Sequence, residues 1–379
     1  MDFRLTEEQQ LLRDAIARLV ANEYTFEARK KIVASPSGWS RAVWGKFAEM
    51  GLLGVPFAAS DGGFGGTAVD LMVVQQELGR GLVVEPYLAT VVLGGGLVDL
   101  AGTAAQKRAI LPRVAEGKSL LAVAYGEPQS RYDLHDVATS AKRDGSGFAL
   151  NGRKSVVLHG AAADTLIVAA RTAGGQRDRH GITLFLVDAK ARGVSVTDYA
   201  TIDGLRAADV GVEALRVGSD AVLGPLDAGL PLLERAVDCG VAALCAEAVG
   251  VMEALNAATL EYLKTRRQFG QPIGRFQALQ HRAVDMLIHC EQSKSITMRA
   301  AVKAGSADAT ERRRAVSAAK SLVGRAGRAI AKEAIQMHGG MGVADELPAA
   351  HYAKRLTMID CWLGDSDWHT ESFVALGRQ

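Results

Sequence analysis

Apolar residues recur every three to four positions along the first third of the chain, which is the spacing of amphipathic helices. Thr6 and Gln9 stand just before the first such run at the spacing of a capping box, in which each side chain bonds the other residue's backbone N–H. The same spacing predicts further helices over about 69–78, 86–100 and 104–116.

Between Ser119 and Leu223 short β-like runs replace the helical pattern. Two turn signals, Asp144-Gly145-Ser146-Gly147 and Asn151-Gly152, fit hairpin connections because their residues tolerate positive φ. The spacing of the runs predicts an antiparallel barrel or sandwich. The runs are 120–125, 137–143, 148–150, 155–158, 165–171, 182–187, 194–199 and 212–217.

From Leu226 the helical period returns and persists in stretches about three times the usual helix length of ~11 residues. Long helices of this kind favour an antiparallel bundle. We therefore predict an α+β multidomain fold, with an N-terminal helical domain (1–118), a middle antiparallel β-barrel (119–224) and a C-terminal four-helix bundle (225–379). The long stretches are 230–267, 276–304 and 307–338.

Composition excludes several classes of protein. The 44 basic and 42 acidic residues leave a net charge of +2, which argues against a nucleic-acid binder. The longest uncharged stretch, 86–98, falls short of the ~18 apolar residues of a membrane span. The four cysteines form no C-x-x-C pair, and the histidines lack metal-ligand spacing. A cytoplasmic protein without a metal site is expected.

One segment has the composition of a nucleotide contact: Arg266-Arg267-Gln268-Phe269-Gly270-Gln271-Pro272-Ile273, followed by Phe276-Gln277. It has two interpretations. Its cations can simply complement the dipole at the end of a helix that Gly270 and Pro272 terminate. Alternatively, Arg266 faces a pyrophosphate, with Gln268, Phe269 and Gln277 around the rest of the nucleotide.

A second segment, Gln336-Met337-His338-Gly339-Gly340-Met341-Gly342, ends a predicted helix. A glycine after a helix is a common C-cap, but three glycines in four residues exceed what a cap needs. Bare backbone at Gly339 and Gly340 lets a phosphate or ribose approach closely, and Gln336 can hydrogen-bond it.

Together with the helix–β–helix order, these two segments resemble the acyl-CoA dehydrogenase family over essentially the whole chain. The other matching segments are Thr6-Glu7-Glu8-Gln9, Gly62-Gly63-Phe64-Gly65-Gly66, Gln76-Glu77-Leu78-Gly79 and Asn151-Gly152-Arg153-Lys154. The resemblance implies FAD as cofactor, an acyl-CoA thioester as substrate and an electron-transferring flavoprotein as electron acceptor. It also implies that a set of residues holds the pyrophosphate and adenosine half of a neighbouring subunit's FAD: Arg266, Gln268, Phe269, Gln277, Gln336, Gly339 and Gly340.

The chemistry of the family needs a carboxylate that removes the α-proton, and the resemblance finds none here. Leu363 stands where the glutamate near the C-terminus is expected. At the alternative position on an earlier helix the chain has Gly240, with Val241 in place of an arginine. Asp365 is a weak candidate base; it and Asp367 can instead cap a helix or contact the cofactor.

The middle segment departs from the family as well. The flavin loop that usually reads Thr-Glu-Pro and Gly-x-Gly-Ser-Asp is here Gly126-Glu127-Pro128 and Gln129-Ser130-Arg131-Tyr132-Asp133. Val156 replaces the tryptophan that commonly covers the flavin ring. Contacts to the ring and the base are therefore lost together, while contacts to the dinucleotide survive.

This asymmetry predicts a subunit that clamps FAD in a hetero-oligomeric acyl-CoA dehydrogenase whose second subunit supplies the base. The chain resembles the small subunits of bacterial pimeloyl-CoA-type and steroid side-chain-type enzymes. In this chain the backbone N–H of Leu363 can still help to polarise a thioester carbonyl, because that contact needs no side chain. Two alternatives stay open: a flavin monooxygenase or oxidase of the same fold, and a structural partner subunit that binds no nucleotide.

Overall fold

The computed structural model describes residues 4–378. Helices occupy both ends of the chain, as the apolar spacing predicts. The capping box is confirmed, since Thr6 and Gln9 exchange side-chain-to-backbone hydrogen bonds at the start of the first helix. The helices are α1 (Glu7–Glu23), α2 (Phe26–Val33), α3 (Arg41–Glu49), α4 (Ala68–Arg80), α5 (Gly96–Ala101), α6 (Ala104–Ala115), α7 (Leu230–Thr265), α8 (Gln277–Ala304), α9 (Ala309–His338), α10 (Pro348–Cys361) and α11 (Ser366–Leu376).

Eight strands of the middle segment form one mixed sheet, in the hydrogen-bonded order β6-β7-β3-β2-β4-β5-β8, with β1 paired to β4. The strands are β1 (Leu121–Ala124), β2 (Ser140–Asp144), β3 (Gly147–Leu158), β4 (Thr165–Arg171), β5 (Ile182–Asp188), β6 (Val194–Ala200), β7 (Arg206–Val217) and β8 (Val222–Leu223). The hairpin at Asp144–Gly147 is confirmed, because these two residues are paired across the β2–β3 turn.

The predicted antiparallel β-barrel is wrong. The sheet is open, and the end strands of its path, β6 and β8, are not paired with each other in the described chain. Strand β1 pairs with β4 in parallel, and β2 joins β4 in parallel at Ser140 and Arg171. Parallel neighbours need a long connection rather than a tight turn. The turn-by-turn prediction of hairpins could not anticipate such pairs.

The predicted hairpin turn at Asn151-Gly152 is also wrong, because β3 continues through it. The pairing with β7 shifts register between Leu150 and Gly152, as a β-bulge does. The side-chain oxygen of Asn151 accepts the backbone N–H of Ala214 at 2.8 Å. An asparagine-glycine pair therefore bends a long strand here instead of ending it.

The chain divides into two compact units. The sheet unit comprises Val33–Gly66 and Val84–Gly240; the helical unit comprises the chain up to Ile32, Thr67–Val83 and the chain from Val241 onward. The core of the sheet unit is apolar, with Phe148 and Phe185 packed edge to face at 5.2 Å. The predicted boundaries 1–118, 119–224 and 225–379 stay a prediction.

The helical unit is built around α9, which packs against α8, α10 and α11. An ion pair buried inside it joins α7 to α10, with Glu247 and Arg355 in bidentate contact at 2.6 and 2.7 Å. Helix α7 is long and apolar enough to cross a membrane by length and composition. However, 72% of its most apolar window is buried inside the protein, as in the core helix of a bundle.

Candidate functional site

The segment after α7 folds into a small hairpin. Strands β9 (Arg267–Gln268) and β10 (Gln271–Pro272) pair antiparallel around the two-residue turn Phe269-Gly270. Both turn residues have positive φ (53° and 78°), as a two-residue type I′ turn requires. The hairpin closes on α7 because the carbonyl of Arg266 accepts the N–H of Ile273 at 2.8 Å.

The side chains of this hairpin lie on the surface and make few contacts within the chain. Phe269 is 88% exposed and packs edge to face against Phe276, at 5.9 Å between ring centroids. The guanidinium of Arg266 has no hydrogen bond or ion pair with any of residues 4–378, whereas Arg267 donates to the carbonyl of Gly270 at 3.1 Å. An exposed aromatic ring and an unpaired cation suit a ligand or subunit outside this chain.

The glycine-rich segment ends α9 beside the same hairpin. The His338 ring stacks on Tyr262 at 4.4 Å between centroids, and the Tyr262 hydroxyl donates to the carbonyl of His338 at 3.3 Å. Since Tyr262 lies one helical turn before Arg266, this contact brings the two segments together. The structure thus brings the ends of α7 and α9 together, and the residues predicted to contact a nucleotide lie exposed in the segments at these ends.

The glycines of this surface are not required by packing within the chain. A Cβ added at Gly339 or Gly340 would meet no atom within 4 Å, and only Gly339 has a positive φ. The exposed side chains of Gln277 and Gln336 form no hydrogen bond within the described residues. These residues fit the phosphate and sugar of a dinucleotide that approaches from outside. We call Arg266, Gln268, Phe269, Gln277, Gln336, Gly339 and Gly340 the clamp surface.

The expected position of the base is a buried turn between α10 and α11. Leu363 is 7% exposed and has a left-handed φ of 57°, and Gly364 follows with a φ of 103°. Leucine cannot accept a proton, so this position supplies no base. The alternative position, Gly240 and Val241 on α7, is buried and carries no carboxylate either.

Two buried side chains fix this turn through its carbonyl groups, and the sequence analysis missed both. Lys320 on α9 is fully buried and donates from Nζ to the carbonyls of Asp360 (2.9 Å) and Gly364. His369 on α11 contacts the carbonyl of Leu363 at 2.9 Å through Nε2. The only indication of this role in the sequence is that Lys320 stands among small residues of α9. We call Trp362–Gly364 with these two side chains the pinned turn.

The hydrogen bonds of His369 assign its tautomer. A carbonyl can only accept, so Nε2 carries the proton, and Nδ1 accepts from the Ser317 hydroxyl at 3.1 Å. Burial and the nearby Lys320 ammonium lower the pKa of His369 to about 3, so its ring is neutral at physiological pH. Burial likewise lowers the pKa of Lys320.

The capping interpretation of Asp365 is confirmed. Its carboxylate accepts the backbone N–H of Trp368 at 2.8 Å at the start of α11. Asp367 lies exposed in the first turn of the same helix, where a negative charge complements the helix dipole. The roles of both residues toward a cofactor stay predictions.

In the sheet unit, the loop over residues 126–133 is held by a buried ion pair. Glu127 and Lys154 are in contact at 2.6 Å, and the Glu127 carboxylate also accepts the N–H groups of Ala138 and Thr139. Burial alone would raise the pKa of Glu127, but the Lys154 ammonium outweighs it and holds the pKa at about 2. Burial lowers the pKa of Lys154 to about 8. The Glu127 carboxylate therefore has a structural role.

The position of the ring-covering tryptophan is an exposed valine at a bulge. Val156 is 49% exposed with a φ of 57°, where the β3–β7 register shifts between Lys154 and Val157. A β-branched residue at positive φ is strained. No aromatic ring stands at this position to stack on a flavin.

Comparison with known families matches nearly the whole chain. The "Acyl-CoA dehydrogenase, N-terminal domain" matches residues 6–118, the "middle domain" residues 122–214 and the "C-terminal domain" residues 227–375. A curated relative is "Probable acyl-CoA dehydrogenase YngJ" of Bacillus subtilis, 28% identical over 373 residues and 97% of each chain.

Two similar solved structures carry two protein names each. The ChsE4-ChsE5 complex from Mycobacterium tuberculosis contains a chain 27% identical to this one, with a TM-score of 0.88 over 100% of this chain and 98% of that one. The "Tcur3481-Tcur3483 steroid ACAD" structure contains a chain 29% identical, with a TM-score of 0.87 over 98% of both chains.

Proposed function

This chain belongs to the acyl-CoA dehydrogenase family of flavoproteins, and we propose that it is the FAD-clamping subunit of a hetero-oligomeric acyl-CoA dehydrogenase. The observation that carries the proposal is a contrast inside the helical unit. The expected position of the base is a buried leucine in a fixed turn, whereas the clamp surface is exposed and the side chains of Arg266, Gln277 and Gln336 have no hydrogen-bond partner within residues 4–378.

The clamp surface fits the dinucleotide half of FAD. Arg266 supplies a cation without a carboxylate partner, which suits a pyrophosphate. Gln277 and Gln336 supply amide donors and acceptors for the adenosine and ribose. Gly339 and Gly340 leave the backbone bare where the cofactor would lie. FAD, when bound, supplies the ring that accepts hydride from the β-carbon of the acyl group.

The ring half of FAD fits this chain poorly. Val156 offers no aromatic face, Glu127 is held by Lys154, and neither Leu363 nor Gly240 can remove a proton. A companion subunit of the same family would supply the ring pocket and the carboxylate, bind the acyl-CoA for reaction and pass electrons to an electron-transferring flavoprotein. The two similar structures whose titles each name two proteins support such a pairing.

The proposal is tested by purifying this chain alone, the companion alone and the two together. The companion is sought as a neighbouring gene whose product retains the glutamate. We expect turnover of acyl-CoA with an artificial electron acceptor only from the complex, with FAD bound in proportion to this chain. Full FAD occupancy and turnover by the lone chain would contradict the proposal. Oxygen consumption by reduced flavin would instead indicate a monooxygenase or oxidase.

A further inference from the structure

The sheet unit contains a cavity of about 440 Å³ at one edge of its sheet. Thr165 at the start of β4 pairs with Asp188 at the end of β5, so both strands contribute to its wall. Helix α6 and the loop before β1 supply most of the remaining lining. A cavity of this size can hold a small molecule, and none of its residues belongs to the clamp surface or the pinned turn.

Four charged side chains line the cavity, and none of them forms an ion pair within residues 4–378. The Asp164 carboxylate accepts the backbone N–H of Leu120 at 2.9 Å through one oxygen only. The Asp188 carboxylate accepts the backbone N–H of Lys190 at 2.8 Å in the same way. The side chains of Arg113 and Lys190 form no hydrogen bond with the described chain. Two cations and two carboxylate oxygens are therefore available to a ligand.

A buried hydroxyl in the same lining also lacks a partner. Ser119 is 8% exposed, and its backbone N–H donates to the carbonyl of Arg113 at 3.1 Å, which holds it beside α6. Its hydroxyl forms no hydrogen bond within residues 4–378. Because buried polar groups are nearly always hydrogen-bonded, this hydroxyl indicates a partner that occupies the cavity.

The lining favours a zwitterion over a simple ion. A phosphate or other anion would meet two carboxylates, and a cation would meet two basic side chains, whereas a zwitterion gives each sign of charge a partner. The guanidinium of Arg113 matches the geometry of a carboxylate, which it can bind through two N–H groups. Ile110 and Leu186 are half-buried and add an apolar wall to the cavity.

We propose that this cavity is a binding site for a free α-amino acid with an apolar side chain. Arg113 and Lys190 bind the α-carboxylate together with the Ser119 hydroxyl. The free oxygens of Asp164 and Asp188 accept hydrogen bonds from the α-ammonium group, and the apolar wall contacts the side chain of the ligand. The site goes beyond the proposed function, because its residues contact neither FAD nor a companion subunit in that proposal.

The test is a calorimetric titration of the purified full chain with L-valine, L-leucine and L-phenylalanine, which span the sizes of apolar side chains. We expect one equivalent of at least one of them to bind. The amino acid that binds most tightly is then compared with two analogues, in which hydrogen replaces either the α-ammonium or the α-carboxylate group. Each analogue should bind weaker by about ten-fold or more, because it leaves two charges of the lining without a partner.

Two variants remove one charge each from the lining. Arg113→Gln and Asp188→Asn should both weaken binding by about ten-fold or more. Both should fold, since the Arg113 side chain has no partner in the described chain and an asparagine oxygen can still accept the N–H of Lys190. Arg108→Gln makes the same change on an exposed position of α6 outside the cavity and should leave the affinity unchanged.

Three results would overturn the inference. One is the absence of saturable binding by all three amino acids at up to about 10 mM. Another is an affinity that neither Arg113→Gln nor Asp188→Asn alters. The third is tighter binding of O-phosphoethanolamine, a zwitterion that lacks an apolar side chain and carries the groups of a lipid headgroup. Failure of the proposed function is recognised separately, because the FAD content of the complex would then be independent of Arg266.

Discussion

The clamp surface and the pinned turn lie in the same helical unit but treat their polar groups in opposite ways. On the clamp surface, the side chains of Arg266, Gln277 and Gln336 are exposed and form no hydrogen bond with residues 4–378. In the pinned turn, the Lys320 and His369 side chains are buried and form their hydrogen bonds with other residues of the chain. We propose that the first region contacts a neighbouring molecule, whereas the second is held in one conformation by hydrogen bonds within the chain.

The two regions should therefore respond differently to substitution. Residues whose function depends on a neighbouring molecule do not need internal partners, so their loss should leave folding unchanged. The turn at the expected position of the base is held by Lys320 and His369 but carries leucine. This turn therefore has a fixed backbone and no side chain at Leu363 that can accept a proton.

The largest difference is expected in stability. His369→Leu leaves the carbonyl of Leu363 and the hydroxyl of Ser317 without partners, which should lower the free energy of unfolding by about 2–4 kcal/mol. Arg266→Ala should change it by less than about 0.5 kcal/mol, because the side chain has no internal partner. Urea unfolding of the two variants measures both values. Equal destabilisation would erase the distinction between the regions.

Acid should weaken the pinned turn specifically. The pKa of His369 is about 3 in the folded protein, against 6.5 for a free histidine, so below pH 6.5 the unfolded chain binds the proton first. Stability from this group is full above pH 6.5 and falls by up to about 1.4 kcal/mol per pH unit toward pH 3. Unfolding at pH 7 and pH 4.5 should show a loss of about 2–3 kcal/mol that His369→Gln lacks. The same slope in both proteins would mean that another group titrates.

A smaller effect is expected from a methyl group on the clamp surface. Gly340→Ala meets no atom of the chain within 4 Å, so the fold should tolerate it. If FAD lies against this backbone, its affinity should fall about 3- to 10-fold, or about 0.7–1.4 kcal/mol. Gly305→Ala is the matched control, since this glycine is equally open but lies at the end of α8. Unchanged FAD affinity in Gly340→Ala would remove this glycine from the clamp.

The smallest effect is expected at Asp365. Asparagine is as good an N-cap as aspartate, so Asp365→Asn should change the free energy of unfolding by only about 0.3 kcal/mol. Turnover of the complex should change less than about two-fold, since the carboxylate serves as a cap rather than a base. A loss of turnover of a hundred-fold or more would restore Asp365 as a candidate base.

Local signals predicted much of the fold. The long helices and β4 follow their apolar periods, and the tight turn at Gly145-Ser146 follows from its residues. The open mixed sheet escaped prediction because parallel pairing depends on residues far apart in sequence. Strand β7 begins at Arg206, ahead of the predicted run, because its first half contains small and charged residues whose strand conformation comes from pairing with β3.

The same limit applies to the candidate site. The clamp residues stand in two short segments whose composition suggests a nucleotide, so the sequence could propose them. Lys320 and His369 act on a turn about 40 and 6 residues away through buried carbonyl groups, and nothing in their own neighbourhoods marks them. The Glu127–Lys154 pair likewise depends on how distant strands pack together, although each residue belongs to a segment that was compared with the family pattern.

The most direct test of the divided site is the FAD content of the complex when single arginines of this chain are changed. Arg266→Ala should raise the dissociation constant of FAD about 10- to 100-fold, the effect of losing a charge-assisted contact of about 1.5–3 kcal/mol. Arg267→Ala, which removes an equal charge one residue away, should change it less than about two-fold, since that side chain bonds within the hairpin. Unchanged FAD affinity in Arg266→Ala would contradict the account and leave this chain a structural partner that grips no nucleotide.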